Sequence, residues 1–118
     1  MSYDIELTDR NTGKVVKFPY VHEVRGGTYQ LGGSDEAWVN ITYNYGAIFR
    51  EVLGEEGIRT IYGLTGEESI PLLEKAISEL DDNISTDYWE ATEGNAQQAL
   101  KHLLLFAQLR PDGVWNGD

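Results

Sequence analysis

The last third of the chain carries a helical face too broad for one neighbour to cover. Ala96, Ala99, Leu100, Leu103, Leu104 and Ala107 recur at the three- and four-residue spacing of one helix face. Leu105 and Phe106 widen that face, and Thr92 stands where an N-cap belongs. The pattern predicts a central helix buried on more than one side. A second amphipathic segment precedes it, with Ile70, Leu73, Ile77 and Leu80 as its stripe and Glu74, Lys75 and Glu79 outside. Two N-caps compete for this segment: Thr65, which forms a capping box with Glu68, and Ser69. Pro71 favours Ser69, because proline belongs in the first helical turn. Asp81, Asp82 and Asn83 end the helix.

The first half reads differently. Tyr3, Ile5 and Leu7 alternate with Asp4, Glu6 and Thr8, the pattern of a strand with one wet face. Asn11-Thr12-Gly13 is a turn, and residues 15–18 form the return strand of a hairpin. Pro19 keeps that strand out of the middle of a sheet. From Ala37 to Tyr45 the period is again two. Val39, Ile41, Tyr43 and Tyr45 oppose Trp38, Asn40, Thr42 and Asn44, which predicts a strand. A helix starting at Ser34 or Asp35 is the competing reading. Gly46 opens a short helix through Ile48, Phe49, Val52 and Leu53 that Gly54 stops, and Arg110 to Gly113 is a turn. Strands first and helices second give a single α+β domain over residues 1–118. An N-terminal β-hairpin and one or two further strands pack against two or three amphipathic helices.

Charge limits the partners of such a domain. Twenty acids against nine bases leave a net charge of −11. From Glu67 to Glu93 nine carboxylates face one cation, Lys75. Such a field repels nucleic acid and anionic membranes and attracts cationic partners. Helix starts absorb some of these acids. The remainder, Glu74, Glu79, Asp81, Asp82, Asp87 and Glu90, are the candidates for a partner-binding acidic face. The longest apolar run, Leu103–Ala107, is too short for a membrane helix, and no signal-peptide pattern opens the chain. The absence of cysteine excludes disulfides and thiolate chemistry and fits a reducing cytoplasm.

No residue pattern predicts a catalytic site, a metal or a cofactor. His22 and His102 lack the local partners of a hydrolytic triad. Asp81, Asn83, Ser85 and Asp87 alternate like the front of a calcium loop, but glycine is missing at the sixth position and Thr92 stands at the twelfth. Adjacent acids such as Glu55-Glu56 read as solvated turns. A small-molecule site is the alternative to a protein partner. Trp38, Asn40 and Asn44 on one strand face would stack on and hydrogen-bond a planar, nucleotide-like ligand, with Arg25, Tyr29 and Arg59 brought toward it from glycine-rich loops. The same amides would serve equally well to satisfy neighbouring backbone.

At Arg25-Gly-Gly-Thr-Tyr29, Asn40-Ile-Thr-Tyr-Asn-Tyr45, Gly57-Ile-Arg-Thr-Ile-Tyr-Gly63 and Arg110-Pro-Asp-Gly-Val-Trp-Asn-Gly-Asp118, the chain resembles a family of short acidic proteins of phage and prophage type. The resemblance brings no site residues with it. It implies a non-enzymatic accessory protein of a mobile element, acting by binding in the host cytoplasm. The expected partner is a host protein with a basic, nucleic-acid-binding surface, with no direct contact to nucleic acid or membrane.

Overall fold

The computed structural model describes residues 2–22 and 34–118. In chain order these form β1 (Ser2–Thr8), β2 (Lys17–His22), β3 (Ser34–Glu36), β4 (Trp38–Thr42), α1 (Gly46–Leu53), α2 (Gly66–Ser78), α3 (Glu93–Leu109) and β5 (Val114–Gly117). Short 3₁₀ turns lie at Tyr43–Tyr45 and Gly57–Ile61. The α+β class is as the sequence predicts. Among the described residues no helix is long and apolar enough to cross a membrane.

β1 is the middle of a three-stranded antiparallel sheet, between β4 and β5. Its register places Tyr3 opposite Ile41, Ile5 opposite Val39 and Leu7 opposite Trp115. These six side chains share the dry face and are all buried. The turn after β1 closes as expected. The Asp9 N–H donates to the Lys14 carbonyl at 2.7 Å, and Thr8 pairs with Val15. Beyond Val16 the return strand departs, and β2 pairs with β3 in a separate two-stranded sheet. Leu7 joins the two sheets: its carbonyl accepts from Val16 N–H and its N–H donates to the Ala37 carbonyl, both at 2.9 Å. Pro19 lies within the irregular part of the β2–β3 register, where a missing donor does least harm.

The buried hydrophobic side chains form one cluster, to which α3 contributes Ala96, Leu100, Leu103, Phe106 and Ala107. These α3 residues have no exposed surface. Phe106 widens the apolar face, its ring centroid 5.3 Å from that of Phe18. Leu105 does not; it is 44% exposed. Gly54 stops α1 with φ of 107°, a conformation that favours glycine.

Three sequence expectations are corrected. Thr65, not Ser69, caps α2. Its hydroxyl accepts from Glu68 N–H at 3.1 Å while the Glu68 carboxylate accepts from Thr65 N–H at 2.9 Å. Pro71 therefore sits in the second turn. The bond it forfeits belongs to the carbonyl of Glu67, an exposed residue that water can serve. Second, β4 ends at Thr42, whose hydroxyl accepts from Asn44 N–H at 3.2 Å and turns the chain into the 3₁₀ segment. The period-two pattern thus overruns the strand by three residues. Third, Val114–Gly117 is a full strand against β1, where the sequence shows only a turn and a tail.

Candidate functional site

The segment from Glu79 to Thr92 links α2 to α3 without regular structure, yet side chains hold it at many points. The buried Gln97 amide donates to the carbonyls of Ile77 and Leu80, both at 3.1 Å, and closes the end of α2. Thr92 caps α3 by accepting from Asn95 N–H at 3.1 Å. The Glu93 carboxylate accepts from Asp81 N–H at 2.9 Å, and Asn83 Oδ1 accepts from Gly94 N–H at 3.0 Å. Asn95 is the hub. Its Oδ1 takes the Ser85 N–H at 3.0 Å, and its Nδ2 donates to the carbonyls of Asp87 and Glu90 at 3.0 and 2.9 Å. A β-carbon on Gly94 would lie 2.4 Å from the backbone of Asn83, so the loop touches the helix as closely as glycine permits.

This loop carries most of the candidate acidic residues. Asp81, Asp82, Asp87 and Glu90 are exposed on it, Glu79 is the C-cap of α2, and Glu74 lies farther back on the exposed face of that helix. Among the described residues none of the six makes an ion pair; the pairs found there join Arg110 to Asp9 and to Asp112. The Glu90 carboxylate accepts from the Ser85 hydroxyl at 2.6 Å, and Asp87 Oδ1 accepts from Trp89 N–H at 3.0 Å. The calcium-like alternation has a local explanation. Asn83, Ser85 and Asp87 spend side-chain oxygens on backbone N–H groups of this loop and of the first turn of α3.

A cleft of about 90 Å³ opens between the loop, the dry face of β4 and α3. Val39, Ile41 and Ala99 are apolar walls, and Tyr45 and Tyr88 add aromatic ones. Ile84, Ser85 and Thr86 line it from the loop side, and Asn95, Gln98 and His102 from the helix. The tyrosines meet edge to face with ring centroids 5.5 Å apart, and the Tyr45 hydroxyl donates to the Tyr88 carbonyl. Burial pushes the Tyr45 phenol well above its ordinary pKa. The Tyr88 phenol and the Asp87 charge push the same way, against a hydrogen bond with Asn95.

Of the predicted planar-ligand site, Trp38, Asn40, Asn44 and Arg59 do not line this cleft. Arg25 and Tyr29 lie outside the described residues. Trp38 and Asn40 share the wet face of the sheet, where the Asn40 amide donates to Ser2 Oγ and to the Asp4 carboxylate, both at 2.7 Å. Asn44, on the 3₁₀ turn, donates to the Trp89 carbonyl at 2.8 Å. Arg59 belongs to a third neighbourhood. Its guanidinium carbon is 5.0 Å from the Tyr3 ring centroid, and its Nε donates to the Asp118 carbonyl at 2.9 Å. Asn44 thus serves neighbouring backbone, the second of the two roles open to these amides, while Asn40 bonds side chains of β1.

The cleft residues were visible only in part. Asn95, Gln98, Ala99 and His102 stand at positions i, i+3, i+4 and i+7 of one helix face, a polar stripe along an apolar helix. Tyr45 and Tyr88 carry no such signal, because their meeting depends on the path of the loop. Comparison with protein-family models, curated proteins and solved structures returns no match. The functional reading therefore rests on the geometry.

Proposed function

We propose that this chain is a non-enzymatic accessory protein of phage type that docks on a basic, nucleic-acid-binding surface of a host protein. One observation supports this reading above others: the loop bearing Asp81, Asp82, Asp87 and Glu90 is held to α3 by side-chain bonds, while its carboxylates make no ion pair among the described residues. Acids kept for solubility alone do not require a fixed loop. A pre-ordered one loses little entropy on docking and steers association through its field. The partner fitting this chemistry presents lysine and arginine to a nucleic-acid backbone, and the acidic loop takes that place.

The test is capture from host lysate on the immobilised protein, followed by elution with rising salt. Basic nucleic-acid-binding proteins are expected to bind at about 50 mM salt and leave by about 500 mM. A variant with Asp81→Asn, Asp82→Asn, Asp87→Asn and Glu90→Gln is expected to lose them. Capture that ignores salt, or that the variant retains in full, defeats the reading.

A further inference from the structure

We propose that the cleft between β4, α3 and the acidic loop receives one arginine side chain of the docking partner, as the anchor of the interface. The inference rests on the reading above and names the contact at its centre. Three properties of the cleft select this occupant. Among the described residues its lining contains no arginine, lysine, aspartate or glutamate, and neighbouring Lys101 is exposed and outside it. Among the described residues the carboxylates of Asp87 and Glu90 make no ion pair; Glu90 is one hydrogen bond from the lining hydroxyl of Ser85, and Asp87 stands in the chain between the lining residues Thr86 and Tyr88. A cationic occupant is therefore favoured and an anionic one repelled. The interior combines apolar walls at Val39, Ile41 and Ala99 with two tyrosine rings.

Arginine matches that combination better than lysine. Its stem packs on apolar surface, and its planar, weakly hydrated guanidinium stacks on aromatic faces. About 90 Å³ holds several water-sized groups, room for a guanidinium. Ile84, 57% exposed at the rim, gives a partner's backbone an apolar edge to lie on. Fixed rings flanked by charge are the setting in which one side chain dominates an interface.

The experiment is an amide chemical-shift titration of the whole protein with N-acetylarginine amide, N-acetylglutamate amide, adenosine and a hexa-arginine peptide. The arginine amide is expected to move the signals of Ser85, Thr86, Tyr88, Asn95 and His102 in a saturable way, and the glutamate amide to move none. Thr86→Phe fills the mouth from an exposed position and is expected to weaken the arginine amide about tenfold. Ala99→Phe fills the floor and repeats the test from another wall. Glu55→Gln with Glu56→Gln removes two charges elsewhere and is expected to leave binding unchanged. If the peptide binds but neither filling variant weakens it, charge docking stands and the cleft anchor is overturned. If neither arginine probe binds at low salt, both readings fall. Saturable shifts in the cleft with adenosine and none with the arginine amide overturn the proposal in favour of a planar neutral ligand.

Discussion

The indole N–H of Trp115 donates to the hydroxyl of Ser69 at 2.7 Å, and that hydroxyl donates in turn to the Gly66 carbonyl, also at 2.7 Å. Both residues are buried, so the relay ties β5 to the first turn of α2 where water cannot substitute. Ser69→Ala leaves the indole N–H unpaired. The expected loss is about 1–3 kcal/mol of stability, measured by urea unfolding followed through tryptophan fluorescence. An unchanged midpoint contradicts this role.

Gly94→Ala places a methyl group against the backbone of Asn83. Loop and helix must separate, at a cost of about 1–3 kcal/mol. The consequence reaches the acidic loop, because the Gly94 N–H bond to Asn83 and the Ser85 N–H bond to Asn95 depend on that approach. Amide exchange at Ser85 is expected to quicken by more than global destabilisation accounts for.

With a net charge of −11 and acids on the loop free of ion pairs among the described residues, self-repulsion opposes folding. Melting temperature is expected to rise by a few degrees as sodium chloride is raised from about 10 mM to about 300 mM, where screening acts within roughly 6 Å. The variant neutralised at Asp81, Asp82, Asp87 and Glu90 is expected to show a shallower rise. Equal slopes would mean that the loop contributes nothing special to the repulsion.

Acid sensitivity has identifiable sources. Backbone N–H groups of Asn11 and Thr12 hold the Asp9 carboxyl below its ordinary 3.8. The Thr65 N–H does the same for Glu68, below 4.5, and the Arg110 side chain for Asp112, below 3.8. Groups with lowered pKa stabilise the fold above their unfolded values, and that stability disappears as pH falls through the folded ones. Stability is therefore expected to decline from about pH 5 downward. Asp9→Asn is expected to flatten that limb while lowering stability at pH 7. A parallel limb in the variant counts against Asp9 as a source.

Local pattern made much of this fold legible. Tyr3, Ile5 and Leu7 announce a strand, and Ala96 to Ala107 a helix, because each side chain's burial follows from its own period. Thr92 is a visible N-cap for the same reason. The errors fall where a distant residue decides. Ser69 looks like a cap until Trp115 claims its hydroxyl within the helix, and Pro71 looks too deep until Glu67 proves exposed. Asn44 shares a strand face with Trp38 only if the strand continues, and Thr42 ends it. Val114–Gly117 offers just four residues of pattern, and its strand exists because β1 has an unpaired edge to offer. The cleft was least legible, since its walls come from β4, the acidic loop and α3.

β1 holds the centre of its sheet, and one of its two neighbours, β5, follows it by more than a hundred residues. Thr8 Oγ1 bonds the Val114 carbonyl across a separation of 106 residues. At roughly 5–20 residues per second, synthesis leaves that edge of β1 open for on the order of ten seconds. A nascent chain thus carries β1 with one side unsatisfied until Val114–Gly117 has emerged. Asp4 and Glu6 lie along β1, and like charge at such an edge opposes its pairing with the same edge of another chain.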